Sequence, residues 1–214
     1  MMRKCLFVVN VGDYFPELMQ YTLPNLRYFA EKNGAEFQLI TERKYPDFPP
    51  TYEKLQVYDL GKDNDWNMLI DADFMLHPNF WDPTEMLDPA YVGFHAGYEA
   101  SDQFVMDDYF RRDGRNRGIS TNFVISSKAC HDLWTPLEFG WDVAQRKLSR
   151  KHIIDEYCVS RNLSRFALKY SGICPNNEFN FMFEHLGLMD RSQEEIERCI
   201  QTAKELAEKW EKFK

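Results

Sequence analysis

The stretch that decides the fold is residues 66–76, with the sequence WNMLIDADFML. Its first five residues are mostly apolar and end at a polar turn, a pattern typical of a buried strand. Asp71 and Asp73 follow at once, and side-chain alternation along an extended chain directs both to one side. Two neighbouring carboxylates repel each other unless a cation lies between them, and hard oxygen ligands suit Mg²⁺ or Mn²⁺. The pair therefore predicts a divalent metal, which would usually also hold phosphate.

Strand and helix patterns alternate around this stretch. Residues 4–10 predict a first buried strand, 16–33 a helix, 36–41 a second strand, 52–60 a second helix and 67–72 the third strand. Such alternation predicts an α/β domain whose mainly parallel sheet is covered by helices. Ligands of such sheets bind beyond the carboxyl ends of the strands, which is where the aspartate pair lies.

The second half of the chain has weaker patterns. Residues 91–94 and 122–126 predict short strands, 128–148 and 152–162 helices, and 165–170 another strand. The polar residues 97–118 predict a loop. Its arginine-rich part, 111–117, is compatible with a solvated surface segment or with a lid that closes over a site. Ser192 and Glu195 form a capping box before an amphipathic terminal helix.

Composition narrows the class of protein. The 214 residues suit one domain over 1–214, and the net charge of -8 argues against nucleic-acid binding. The five cysteines are scattered and lack a C-x-x-C pair, which favours a reduced, cytoplasmic protein. No apolar run reaches about 18 residues, so no membrane span is expected. The sequence is also compatible with one module of a larger protein.

A late histidine adds a second candidate ligand. Residues 181–187, FMFEHLG, place His185 two residues before a glycine. A neutral imidazole could complete the coordination of Mn²⁺, while a structural histidine remains the alternative.

The first strand with its polar turn, the D-x-D pair and the H-x-G motif together resemble the glycosyltransferases of the GT-A fold. The layout is also similar to a glycosyltransferase domain of large algal viruses, for which the location would be the host cytoplasm.

The resemblance implies a fold and an activity. The fold would be GT-A (Rossmann-like), with a mixed, mainly parallel sheet flanked by helices and a C-terminal helix. The activity would be metal-dependent transfer of a hexose or deoxyhexose from a UDP-sugar to a hydroxyl of a glycan or other acceptor, with retention of configuration. Asp71, Asp73 and His185 would bind Mn²⁺ (or Mg²⁺), and Asp71 would also lie near the ribose.

The resemblance also implies roles for other residues. The nucleotide pocket would contain Asn10, Val11, Gly12 and Tyr14. Lys54 would contact the diphosphate, and Asn122 the hydroxyls of the donor sugar. Asp155 or Glu156 would stabilise the oxocarbenium-like centre or act as a base towards the acceptor.

The chain departs from this family at two points. Phe123 replaces a small residue of the sugar-binding segment, and Asp190 stands where a lysine would end the histidine motif. Another cation, Lys54 or an arginine of residues 111–117, would then contact the diphosphate.

Three other functions are compatible with a D-x-D pair. A phosphohydrolase of the aspartyl-phosphate type would use Asp71 and Asp73, but such enzymes carry the motif on their first strand. A nucleotidyltransferase needs a glycine-rich, arginine-containing loop after the first strand, which residues 10–13 do not supply. A catalytically inactive module would bind UDP with Mn²⁺ and show no turnover.

Overall fold

The protein is represented by a computed structural model. It describes residues 2–12, 14–95, 118–173, 183–186 and 192–213. The predicted loop over 97–118 lies outside these residues except for Gly118, as does most of 172–177, for which the sequence predicts a turn.

A six-stranded sheet forms the centre of the described structure. The strands are β1 (Lys4–Val9), β2 (Ala35–Ile40), β3 (Trp66–Ile70), β4 (Phe74–Leu76), β5 (Tyr91–Phe94), β6 (Phe123–Ser127), β7 (Lys169–Gly172) and β8 (Phe183–His185). The sheet has the order β2-β1-β3-β6-β5-β7, while β4 and β8 pair separately. Strand β6 runs antiparallel to both of its neighbours, and the other pairs in the sheet are parallel. The mixed, mainly parallel α/β fold predicted from the sequence is confirmed.

Helices and short 3₁₀ turns cover both faces of the sheet. The α-helices of the described residues are α1 (Pro16–Lys32), α2 (Val57–Leu60), α3 (Trp141–Ala144), α4 (Ile154–Arg165) and α5 (Gln193–Trp210). Helices α1 and α5 pack on the face that contains Leu6 and Val8 of β1. Helix α4 and the 3₁₀ turns Pro50–Gln56 and Lys128–Trp134 pack on the face that contains Phe7. The central strands are therefore apolar on both faces, as their sequences predict.

The predicted helix over 128–148 is wrong as a continuous element. A 3₁₀ turn occupies Lys128–Trp134, and helix α3 starts only at Trp141. Thr135 is extended (φ -58°, ψ 121°) because it precedes Pro136, whose ring disfavours helical backbone in the residue before it. The proline therefore divides a segment whose apolar spacing alone suits a helix.

The terminal helix begins as predicted. The Ser192 side chain accepts a hydrogen bond from the Glu195 amide, and the Glu195 carboxylate accepts one from the Ser192 amide, so the capping box is complete. None of the helices in the described ranges combines the length and apolarity needed to cross a membrane. The described cysteines, Cys5, Cys130, Cys158 and Cys199, are buried free thiols.

Candidate active site

Polar residues gather where the central strands end. Asp71 follows β3, and its amide donates to the Asn122 carbonyl at 2.8 Å. His95 follows β5, and its amide donates to the Phe123 carbonyl at 3.0 Å. Because β6 is antiparallel, its start meets the ends of β3 and β5, so these residues lie at one edge of the sheet. This carboxyl edge is the usual ligand site of such sheets.

The Lys54 ammonium lies at the centre of this edge. Its Nζ is 2.6 Å from Asp71 Oδ1 and 2.9 Å from Asp155 Oδ2. It also donates to Thr121 Oγ1 at 3.1 Å, while the Thr121 hydroxyl donates to Asp155 Oδ2. One buried lysine therefore joins the aspartate motif after β3, the segment before β6 and the first turn of α4.

The 3₁₀ turn Pro50–Gln56 carries Lys54 to this position. Its neighbour Glu53 is fully buried and accepts hydrogen bonds from the side chain of Arg43 at 2.8 Å and from the amide of Lys44 at 2.9 Å. These bonds fix the preceding proline-rich loop against the turn. Thr51 Oγ1 donates to the His152 carbonyl at 2.6 Å and fastens the turn beside the start of α4. Sequence alone allows a solvated Lys54, but the structure buries it.

The charges around Lys54 favour its protonated form. Burial alone would lower the pKa of Lys54, but the attraction of Asp155 and Asp71 outweighs burial, and the net pKa is raised. Lys54 therefore remains an ammonium at neutral pH.

The second aspartate of the motif is less accessible than the first. Asp73 is buried, whereas Asp71 is only partly buried, with 24% of its side chain exposed. The Asp73 carbonyl accepts the Leu186 amide at 3.0 Å, and β4 pairs with β8 so that Phe74 lies opposite His185. The backbone of His185 thus comes close to the aspartate pair. Its role as a metal ligand stays a prediction.

The loop after β1 approaches the same aspartates. Burial raises the pKa of the Tyr14 hydroxyl, and the negative charges of Asp73 and Asp71 raise it further. Tyr14 is held there because its amide donates to Asn10 Oδ1 at 3.1 Å. Val11 and Gly12 form the intervening turn, in which Gly12 has a positive φ of 76°. Tyr14 therefore lies near the aspartate pair, while the nucleotide-pocket roles of Asn10, Val11, Gly12 and Tyr14 stay predictions.

Asn122 has a neighbour that the sequence analysis missed. The Asn122 amide nitrogen is 3.3 Å from His95 Nδ1, and both residues are buried. His95 also packs edge-on against Phe74. No local pattern marks His95, because its position depends on the pairing of β5 with β6. The contact of Thr121 with Lys54 was missed for the same reason, since only the fold brings the two residues together.

Glu156 lies next to Asp155 at the start of α4. Its Oε1 accepts a hydrogen bond from Ser120 at 3.1 Å, and its Oε2 is buried with no hydrogen-bond partner among the described residues. Burial, followed by the charge of Asp155, raises the pKa of Glu156 to about 8. Glu156 is therefore largely protonated at neutral pH and able to donate a hydrogen bond.

This raised pKa predicts a pH dependence of stability. Between pH 4.5 and about 8 the folded chain holds a proton on Glu156 that the unfolded chain has lost, so stability falls as the pH rises through this window. Glu156→Gln removes the effect, and we expect its free energy of unfolding to fall less between pH 5 and 8, by on the order of a few kcal/mol. Urea titrations at several pH values measure it.

The exposed Glu85 provides a matched control for this measurement. Glu85→Gln should retain the pH dependence of the wild-type protein. Parallel curves for the wild type and Glu156→Gln would show that Glu156 keeps an ordinary carboxyl pKa.

Solved structures of glycosyltransferases resemble this chain in fold. The chain matches a glycosyltransferase involved in the glycosylation of the major capsid of PBCV-1, with TM-score 0.56 and 11% identity, over 92% of this chain and 99% of that one. The chain has the fold of that viral glycosyltransferase. It also matches a Drosophila β-1,4-galactosyltransferase 7 variant in complex with manganese, UDP-Gal and xylobiose, with TM-score 0.49 and 14% identity, over 92% and 79% of the two chains. No protein-family model and no curated protein matches the sequence.

The residues at the carboxyl edge of the sheet supply two of the ligands that a divalent cation needs, the carboxylates of Asp71 and Asp73. Within the described ranges, no three Asp, Glu, His or Cys side chains are grouped so that they could hold a metal ion. Asp71 and Asp73 nevertheless offer hard carboxylate oxygens at one turn, and Asp71 is partly exposed. Such a pair suits Mg²⁺ or Mn²⁺, which commonly bind one or two carboxylates together with substrate phosphates.

Proposed function

We propose that the protein is a metal-dependent glycosyltransferase that moves a hexose or deoxyhexose from a UDP-sugar to an acceptor hydroxyl. One observation carries the proposal: the buried Lys54 joins Asp71 of the D-x-D motif to Asp155 of α4. A cation and several carboxylates therefore share the edge of the sheet where nucleotide ligands bind in this class of fold. The fold match to the PBCV-1 enzyme supports it.

The nucleotide end of the donor would lie beside the loop after β1. Tyr14 offers an aromatic face on which uracil can stack, and the turn formed by Val11 and Gly12 offers backbone groups to the ribose. Asn10 keeps this loop in place through its bond to the Tyr14 amide. Asp71, which is partly exposed, would lie between the ribose and the diphosphate.

The diphosphate would lie between the aspartate pair and Lys54. Asp71 and Asp73 would hold Mn²⁺ or Mg²⁺, with His185 as a further ligand. The metal would supply Lewis-acid stabilisation of the UDP leaving group. Lys54 would add a positive charge from the protein itself, which the missing lysine of the histidine motif makes necessary.

The sugar end would be bound by the residues before β6 and at the start of α4. Asn122 would contact hydroxyls of the donor sugar, oriented by His95. Asp155 would stabilise positive charge that develops at the anomeric carbon, because a carboxylate in a water-poor site acts strongly on nearby charge. Glu156, which holds its proton at neutral pH, would donate a hydrogen bond to the donor or acceptor. The transfer would retain the configuration of the anomeric carbon.

The experiment is a panel of nucleotides and nucleotide-sugars, tested with and without Mn²⁺ by thermal shift and by release of UDP. A ligand at a hundredfold excess over its Kd stabilises the folded protein by about 2.7 kcal/mol, so a true donor gives a clear shift. We expect UDP and one UDP-sugar to stabilise the protein only with the metal.

Two results would assign other functions. Hydrolysis of p-nitrophenyl phosphate with Mg²⁺, without any response to UDP, would favour the aspartyl-phosphate alternative. Binding of UDP and Mn²⁺ without turnover of any donor and acceptor would leave an inactive binding module.

A further inference from the structure

All three N–H bonds of the Lys54 ammonium are used within the protein. The ammonium nitrogen lies 2.6 Å from Asp71 Oδ1, 2.9 Å from Asp155 Oδ2, 3.1 Å from Thr121 Oγ1 and 3.4 Å from the Thr121 carbonyl oxygen. An ammonium has no further donor. Lys54 can therefore bind a diphosphate oxygen only if it releases one of its present partners.

The three partners differ in how easily Lys54 can release them. Only 3% of the Asp155 side chain is exposed, and Asp155 and Thr121 are also bonded to each other. A buried carboxylate that loses its counter-ion is strongly destabilised. Asp71 has 24% of its side chain exposed, so water or another cation can replace Lys54 there. Of the contacts that Lys54 makes, the one to Asp71 therefore costs least to exchange.

A divalent cation competes with Lys54 for the same carboxylate. Both would bind Asp71, and two positive charges a few ångströms apart in a partly buried site repel each other strongly. A diphosphate carries enough negative charge to lie between them and remove this repulsion. Cation and diphosphate should therefore each favour the binding of the other.

We propose that Lys54 is an internal counter-ion of Asp71 that couples metal binding to donor binding. Without the donor, Lys54 neutralises Asp71 and opposes the metal. With the donor, Lys54 transfers to the diphosphate, keeps its bonds to Asp155 and Thr121, and leaves Asp71 to the metal. This inference rests on the proposed function and adds that the metal binds weakly until a nucleoside diphosphate is present.

The test is calorimetric titration of Mn²⁺ alone, of UDP alone and of each in the presence of the other. For the wild type we expect UDP to tighten Mn²⁺ binding, and by reciprocity Mn²⁺ to tighten UDP binding by the same factor. Lys54→Met removes the competing charge, so Mn²⁺ alone should bind about tenfold tighter than to the wild type, since a hydrogen bond to a charged group is worth about that factor. UDP should bind Lys54→Met more weakly, and the mutual tightening should shrink.

Two further variants make the test independent of how well Lys54→Met folds. Lys54→Arg keeps the charge and should retain weak binding of Mn²⁺ alone. Asp155→Asn removes a competitor for Lys54, so Lys54 holds Asp71 more firmly and Mn²⁺ alone should bind more weakly than to the wild type.

The outcomes separate this inference from the proposed function. If the wild type binds UDP with Mn²⁺ but Lys54→Met does not strengthen binding of Mn²⁺ alone, the counter-ion role is wrong and the transferase proposal stands. If Lys54→Met does not fold, an unchanged affinity of Asp155→Asn for Mn²⁺ alone rejects the role in the same way. If the wild type binds neither UDP nor Mn²⁺, both proposals are wrong.

Discussion

Asp73→Asn is expected to abolish Mn²⁺-dependent binding of UDP and to reduce donor turnover at least about a hundredfold. Loss of groups that only support a metal ligand already costs 10- to 100-fold, and Asp73 is proposed as a ligand itself. An amide oxygen carries no charge, so it cannot offset the charge of a divalent cation. Calorimetry with UDP and Mn²⁺, together with release of UDP from the donor, measures both effects.

Asparagine is chosen because it separates ligand loss from structural damage. Asp73 is buried, and its carbonyl accepts the Leu186 amide beside the pairing of β4 with β8. Asparagine keeps the size of the side chain and this backbone bond. The exposed Asp47 gives a matched control, since Asp47→Asn removes one negative charge from a side chain that is not proposed as a ligand. Wild-type turnover in Asp73→Asn would remove Asp73 from the metal site.

Lys54→Met is expected to lower the free energy of unfolding by about 3 kcal/mol. Removal of one member of a buried ion pair leaves an uncompensated charge and typically costs 3–5 kcal/mol. The lower end applies because Asp71 is partly exposed and water can solvate it once Lys54 is gone. Asp155 remains buried beside it, so the two carboxylates repel each other. Urea unfolding followed by circular dichroism measures the loss.

A surface pair on the same chain provides the control for this stability change. Lys44 pairs with Asp59, and both side chains are about half exposed. Lys44→Met should change the free energy of unfolding by less than about 1 kcal/mol, as surface ion pairs do. The double variant Lys54→Met with Asp155→Asn should recover part of the loss, because one buried charge is removed. Equal effects of Lys54→Met and Lys44→Met would contradict the buried ion-pair network.

Local patterns were enough to predict the central elements of the fold. The apolar run before Asp71 predicts β3, the run over residues 4–10 predicts β1, and the capping box at Ser192 predicts the start of α5. Each depends on residues close in sequence, and the structure agrees. The helix predicted over 128–148 failed because Pro136 acts on the backbone of Thr135, an effect that hydrophobic spacing does not contain.

The site was only partly predictable because it depends on long-range pairing. The aspartate pair is visible in the sequence, since strand and motif are contiguous. The contact of Lys54 with Asp155 joins residues about a hundred positions apart and depends on the packing of a 3₁₀ turn against α4. His95 and Thr121 come to the site through the pairing of β5, β6 and β3. A single sequence carries no local sign of such contacts.

The most direct test of the central claim is a crystal structure of the protein with Mn²⁺ and UDP. We expect Mn²⁺ at about 2.1 Å from carboxylate oxygens of Asp71 and Asp73, a distance typical of such small hard cations. We also expect Lys54 Nζ on the diphosphate and uracil on the face of Tyr14. A structure in which UDP and Mn²⁺ occupy another place, with Asp71 still bound to Lys54 and Asp73 contacting neither ligand, would contradict the account.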